Sequence, residues 1–269
     1  MRAGIGPRLF VALALLAVAA PLVPLLGWAV AGQWRYPALL PTRLSGRGLA
    51  LLGDPRTQVL HGLLTSLGIA VPVTVLAVGI GYPAGRAIGL YTFRGRRLVQ
   101  FLLLAPVIVP GLAVTLGLQV FFVRAGLSDT EAGVVAVQLL PTVPYTATVL
   151  GGAFANLDLD HERAARVLGA GPGRTLVFVT LPLLRPAIVA AALFAFLISW
   201  SEYVLTLLVG GGTVATLPLL LFAAIGGTDT TAAAALGVLV VAVPLLAVLA
   251  AGRVLGVRSG AGLGGFGRL

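Results

Sequence analysis

The sequence predicts an all-α integral membrane protein with six transmembrane helices. Three observations carry this expectation. The chain is 59% hydrophobic and only 10% charged, whereas a soluble domain has roughly a quarter charged residues. Its mean hydropathy is +1.07. Its apolar residues also gather into six runs, each near the ~20 residues that cross a bilayer as a helix.

The runs cover residues 9–31, 60–82, 98–122, 133–155, 187–209 and 231–255. No soluble domain and no strong internal repeat accompany them, so residues 1–269 read as one transmembrane domain. The first run has a competing reading as a cleaved leader, because Arg2 and Arg8 give a basic start and Ala29-Val30-Ala31 an A-x-A-like site. Its length exceeds the ~7–15 residues of a leader core, which favours a span.

Six spans put both termini on one side. All 18 basic residues are arginine and the net charge is +10, a balance that in a soluble protein would suggest a nucleic-acid partner. Here the arginines fall mostly in short gaps between apolar runs, so no nucleic-acid partner is expected. With the N-terminus inside, Arg86, Arg94, Arg96, Arg97, Arg163, Arg166, Arg174 and Arg185 lie on cytoplasmic segments. Arg35, Arg43, Arg47, Arg56 and Arg124 lie outside. The bias favours cytoplasmic N- and C-termini, although the first outer loop, with four arginines against Asp54, departs from the rule. The absence of cysteine excludes disulfides, thiolate metal sites and cysteine nucleophiles. His61 and His161 fall near span or loop ends, where neither suggests a metal site or a proton relay.

The most informative stretch is the gap 156–186 between spans four and five. Asp160 reads as an N-cap, Glu162 sits in the first turn of the helix that follows, and Glu162 with Arg166 makes an i, i+4 pair. Gly169 supplies a terminator and Gly171-Pro172-Gly173 turns the chain. Ala164, Ala165 and Leu168 leave a small apolar face free for docking. A loop of this length with its own helix is uncommon unless it has a function.

This stretch resembles the EAA loop of ABC importer permeases, whose pattern is E-A-A, three residues, G, nine residues, a β-branched residue, any residue, then L-P. Ala164, Ala165, Gly169, Val179, Leu181 and Pro182 fit that spacing. Arg163 stands where the family has glutamate, with Glu162 one residue earlier. The segments Trp34 to Pro41 and Ser199 to Tyr203 are similar, more loosely, to permeases of the polyamine, opine, phosphonate, ferric-iron and thiamine importer group.

The resemblance implies a type I ABC importer permease-like bundle in the bacterial cell inner (plasma) membrane. It implies that residues 156–186 carry a coupling helix, seated in a groove of a cytoplasmic ABC ATPase dimer. It also implies a second permease subunit, identical or related, and a periplasmic or extracellular solute-binding protein that delivers the solute. Polyamine, ferric iron, thiamine and phosphonate-like solutes come with the family group. The chain has no G-x-x-x-x-G-K-[ST] phosphate loop, so ATP belongs to the partner; the chain is expected to be no enzyme and to hold no cofactor and no metal.

For the solute pathway Glu202 is the leading candidate, since an acidic group within a span is costly and ordinarily faces a cavity or a partner. A subunit-contact role near the outer end of span five is its equal competitor. Ser199, Ser201 and Tyr203 would add hydrogen bonds, with Gln119, Gln138 and Tyr145 as further candidates whose alternative role is interhelix bonding. Gly210, Gly211 and Gly212 suit either a flexible outer gate or a surface turn. Arg94, Arg96 and Arg97 serve as a topology signal, or contact the ATPase or anionic membrane lipid. A channel without ATPase coupling would need rings of charged or carbonyl groups, and an intramembrane enzyme would need convergent reactive groups. The sequence displays neither.

Overall fold

The computed structural model describes residues 9–10, 13, 16–17, 19–34, 41, 43–109, 111–227 and 229–259. Part of the first predicted span and residues 35–40 of the outer segment lie outside the described residues. Among the described residues four helices are long and apolar enough to cross a membrane. They begin at Val59, Glu131, Pro172 and Thr230.

The chain divides into two compact units, one of Met1–Leu64 with Ala215–Val243 and the other of Thr65–Val214 with Pro244–Leu269. In the first, helix α1 (Leu22–Ala29) leads into an antiparallel pair, β1 (Ala31–Gln33) and β2 (Arg43–Leu44), then α2 (Arg47–Gly53). Ala29, Ala234 and Ala235 form the buried centre of this unit, with Leu25, Trp28, Leu52 and Val238 around it. Gly48 is required there, because a Cβ would fall 2.1 Å from the Ala29 carbonyl oxygen. Arg47 pairs with Asp229, and the Thr231 hydroxyl donates to the Ala31 carbonyl at 3.0 Å.

Helix α3 (Val59–Leu90) continues well past the expected end at Tyr82. Its 32 residues extend about 48 Å, more than the ~30 Å hydrocarbon core, so the surplus turns leave the membrane at one end. Span three divides into α4 (Arg96–Ile108) and α5 (Gly111–Arg124). Val109 is extended there, with φ −75° and ψ 136°, the conformation that a following proline forces on its neighbour. Helix α6 (Glu131–Ala155) begins at Thr130, whose hydroxyl accepts the Gly133 N–H at 3.0 Å.

The fifth span departs most from expectation. After α7 (Asp160–Val167) and α8 (Pro172–Thr175), a π-helical turn over Leu176–Thr180 runs straight into α9 (Leu181–Ser201). Glu202 is extended and a short α10 (Val204–Gly210) follows, so the helix breaks where the sequence predicts continuity to Val209. Between spans five and six an unpredicted helix, α11 (Leu217–Gly226), opens on Pro218. Ten residues are too few to cross a bilayer, and the apolar run is broken by Gly226-Gly227. Helix α12 (Thr230–Ser259) supplies the last span.

Close packing in the second unit rests on three glycines four residues apart. Gly81, Gly85 and Gly89 line one face of α3, and a Cβ on them would fall 2.3 Å from Thr146 Oγ1, 2.8 Å from Gly151 N and 2.5 Å from Gly151 O respectively. Small residues at helical spacing let two backbones meet. The Thr146 hydroxyl uses that proximity to donate to the Ala77 carbonyl at 2.8 Å. Buried clusters around Ile69, Val73 and Val134, and around Phe122, Val137 and Val209, fill the rest. Large apolar side chains elsewhere on the spans are exposed, among them Leu60, Leu64, Val75, Phe101, Phe121, Leu246 and Leu249. In water such a surface would aggregate; against acyl chains it is the expected exterior.

Candidate coupling site

The predicted loop helix exists, followed after the turn by a second short helix, with one correction at its start. Asp160 is not the cap: Asp158 Oδ1 accepts the Asp160 N–H at 2.9 Å, and Asp160 instead pairs with Arg163 at 2.8 Å. Asp158 reaches forward to that amide across the turn at Leu159, the residue before the first helical one. At the other end Gly169 has φ +85°. The Gly169 N–H donates to Arg166 O at 3.0 Å and the Ala170 N–H to Ala165 O at 2.9 Å, a Schellman closure.

Glu162 anchors α7 to the bundle. Its carboxylate is buried, accepting from Arg86 Nη2 at 2.8 Å and from the Thr180 hydroxyl at 2.7 Å. Arg166 stands 3.7 Å away, which realises the predicted i, i+4 pair. The Arg86 guanidinium also lies over the Phe154 ring, 5.6 Å from its centroid, and Tyr82 meets that ring edge-on at 5.2 Å. The π-helical turn supplies Thr180; its wider register inserts a residue before α9, and such insertions recur at functional positions. One carboxylate thus joins α3, α7 and the turn preceding α9.

Burial pushes the Glu162 carboxyl up, but the hydrogen bonds from Arg86 and Thr180 and the charges of Arg86 and Arg166 outweigh it, leaving its pKa lowered. A carboxylate whose native pKa lies below its unfolded value stabilises the fold fully above that unfolded value, ~4.3 for glutamate. The contribution is lost as pH falls through the lower native value. Protection of residues 160–168 against amide exchange, taken relative to the intrinsic rate at each pH, is therefore expected to be unchanged from neutral pH down to about 5, then to fall under stronger acid. A Glu162→Gln variant would show no such acid step.

The apex of the loop is apolar and open. Val167 and Leu168 are 88% and 87% exposed. The predicted docking face included Leu168 but missed Val167, which precedes the turn glycine and has no neighbour to cover it. Ala164, Arg163 and Gly169 are also exposed, and Ala165 is half-buried. Val179, Leu181 and Pro182 lie half-buried, leading into α9. The loop is thus held by its acid and offers its apolar tip.

Residues 77–258, which include the later part of α3, the loop and the spans that follow, match the family of binding-protein-dependent transport system inner membrane components. The chain belongs to this family of transport permeases. Over 220 residues it is 36% identical to the molybdenum transport system permease protein ModB of Mycobacterium bovis, covering 76% of this chain and 81% of that one. The putrescine transport system permease protein PotI of Escherichia coli is 30% identical over 182 residues, covering 65% and 64%. A bacterial ABC transporter that imports the acidic polysaccharide alginate shares the fold with a TM-score of 0.66 at 18% identity, covering 93% of this chain and 95% of that one. The protein is accordingly a multi-pass inner-membrane transport permease with a type I importer fold.

In this permease the residues named from sequence for a solute pathway divide in two. Gln138 and Ser199 are buried and meet: Ser199 donates to Gln138 Oε1, and Gln138 Nε2 donates to Thr206 Oγ1 at 2.9 Å. Together they bind α6, α9 and α10. Glu202 is half-buried at the helix break, where its Oε1 accepts the Leu205 N–H at 2.9 Å and so begins α10. Ser201 is exposed and its hydroxyl returns to Leu197 O at 2.9 Å. Tyr203 and Gln119 are half-buried, and Tyr145 is 42% exposed. Thr206 escaped the sequence reading, since threonine in an apolar run carries no signal until the facing glutamine is known.

The glycine turn after α10 is tied. Gly211 and Gly212 have φ +55° and +81°, and a Cβ on Gly211 would fall 1.7 Å from Asp129 Oδ1. The Asp129 N–H donates to Val209 O at 2.8 Å and the Thr213 hydroxyl to Asp129 O at 3.0 Å.

Proposed function

We propose that this chain is one of two permease subunits of an ATP-driven importer, and that residues 156–186 seat on a cytoplasmic ABC ATPase. The observation that carries this reading is the pairing of an exposed apolar apex, Val167 and Leu168, with a buried carboxylate beneath it. A small apolar patch that must remain exposed in the isolated chain has the character of an interface centre. Glu162 converts a push on that patch into a force on α3 and α9, because both share its carboxylate. Family membership supports the second permease and the external binding protein. The alginate transporter, one of whose structures includes a pentasaccharide-bound periplasmic protein, gives the binding protein further support. The arginine distribution supports placing the loop and both termini in the cytoplasm.

For the solute we propose a small oxyanion of the molybdate class rather than a polyamine or a metal cation. The 36% identical mycobacterial relative carries a molybdenum name, and archaeal permeases named for molybdate/tungstate match at 31% and 34% identity. The carboxylate that would favour a cation, Glu202, is engaged by the Leu205 N–H. The neighbouring buried polar groups Gln138, Ser199 and Thr206 are neutral. Uptake in membrane vesicles, with the cognate binding protein and a panel of molybdate, phosphonate and putrescine, tests the assignment. Putrescine uptake without molybdate uptake would overturn the oxyanion reading.

The ATPase contact is tested by affinity purification from native membranes. Wild type is expected to bring down an ATP-binding subunit. Val167→Asp/Leu168→Asp is expected to lose it, at a cost of about 2 kcal/mol or more per buried anchor. Gly169→Asp is expected to do the same, through a strained positive φ and an added charge at the apex. Equal ATPase recovery from all three proteins would remove the loop from the interface.

A further inference from the structure

A cavity of about 440 Å³ opens between α3, α4 and α6, beside the glycine-packed pair. Arg96, Gln100, Leu103 and Leu104 line one wall, Ile88 and Thr148 others. It lies toward the end of α6 that leads into residues 156–186. The aromatic pair Tyr91 and Phe93, 57% and 40% exposed, marks this end as the headgroup level, where such side chains concentrate. Beyond it, Leu98, Phe101 and Leu102 are exposed along α4, as acyl-chain contacts would be.

Arg96 is the one charged residue among the described residues lining the cavity. Arg96 Nε is buried with no hydrogen-bond partner among the described residues, a cost that turning the guanidinium toward an acceptor in the cavity would relieve. No carboxylate lines the cavity. None of the ion pairs among the described residues uses Arg94, Arg96 or Arg97. Arg94 and Arg97 are exposed on either side, adding positive potential. Guanidinium geometry matches phosphate oxygens, and the apolar wall of Leu103 and Leu104 suits a hydrocarbon chain.

We propose that this cavity binds an anionic phospholipid, its phosphate on Arg96 beside Gln100 and its acyl chain along α4. Only the leaflet, cytoplasmic, rests on the coupling-loop reading. The lipid would wedge α4 against the α3–α6 pair at the foot of the coupling site, where its presence stiffens the seat of the loop. A phosphate-bearing headgroup and free phosphate share the chemistry, and a second permease subunit is the protein alternative; the experiment separates all three.

The full chain, purified with its co-purifying subunits and stripped of lipid, is titrated with phosphatidylglycerol and with phosphatidylcholine of the same chains. Bound lipid is read by native mass spectrometry. Wild type is expected to prefer phosphatidylglycerol, and Arg96→Gln to lose that preference by about fivefold or more, the effect of one basic group near an anionic surface. Arg96→Lys is expected to keep part of it, and exposed Arg97→Gln nearly all. An Arg96→Gln protein that melts like wild type and retains the full preference would overturn the site. Displacement of the lipid by millimolar inorganic phosphate would reassign it to a free anion. Because the chain has no cysteine, Leu104→Cys gives a clean crosslinking probe. A disulfide between two copies through it would show that protein, not lipid, covers the cavity. Loss of lipid preference with ATPase recovery intact leaves the coupling assignment standing, so the two readings fail separately.

Discussion

Gly85→Leu is expected to abolish accumulation of folded permease, while Gly79→Leu on the same helix is tolerated. A Cβ at Gly85 would sit 2.8 Å from Gly151 N, 2.9 Å from Leu150 Cβ and 3.0 Å from Ala147 O. Two of these obstacles are backbone atoms, which no rotamer change removes. Overpacking in a core costs about 1–3 kcal/mol when side chains absorb it; here α3 and α6 must move apart, so the cost lies above that range. Separation would also break the bond from Thr146 to the Ala77 carbonyl. At Gly79 nothing lies within 4 Å of the added carbon, and leucine there faces open space suited to lipid. Fluorescence-detected size exclusion and thermal melting of the two variants decide the matter. Equal melting temperatures would mean that the close α3–α6 approach is not what holds this unit.

That contrast shows what the sequence discloses and what it withholds. Gly79 and Gly81 both lie in the second apolar run, yet only Gly81 shares the tight face with Gly85 and Gly89. Spacing by four residues was available as a signal; which neighbour it met was not, because the partner face on α6 is Thr146, Ala147 and Gly151 rather than a matching glycine ladder. The spans were legible because hydrophobic runs of bilayer length have few alternatives. Their interruptions were less so. Val109 obeys the restriction imposed by Pro110, a local rule the run's apolar character concealed. Glu202 stood out as an acid in a span, but the apolar run around it carried no sign of the chain break at which it accepts the Leu205 N–H.

The loop was legible as a motif and only partly as a structure. Gly169 announced the end of a short helix, Ala164 and Ala165 fitted the family spacing, and Arg163 stood where the family has glutamate, with Glu162 one residue earlier. The structure gives that departure a physical content. Arg163 turns outward to Asp160, while Glu162, one residue earlier and about 100° around the helix, faces Arg86 and Thr180. Sequence distance hid the partners, since Arg86 lies in a different span.

Glu162→Ala is expected to uncouple the loop from the bundle. The pair is largely buried, with side-chain exposures of 5% for Glu162 and 24% for Arg86. Removing one partner of a buried pair costs about 3–5 kcal/mol; the partial exposure of Arg86 places this case at the lower end. Alanine would also leave the buried Thr180 hydroxyl without its carboxylate. Amide exchange over 160–168 should rise by two orders of magnitude or so, as about 3 kcal/mol requires. ATP hydrolysis by the assembled transporter should persist while solute uptake falls below a tenth of wild type. The reciprocal Arg86→Met leaves the buried carboxylate with only the Thr180 hydroxyl and the more distant, exposed Arg166, and is expected to be damaging in the same direction. Combining Arg86→Met with Glu162→Leu removes both charges and should recover part of the protection, because neither ion is then stranded. If the double variant exchanges faster than either single one, the carboxylate–guanidinium pair is not the joint. If uptake survives Glu162→Ala at full rate, the proposed coupling through Glu162 is wrong.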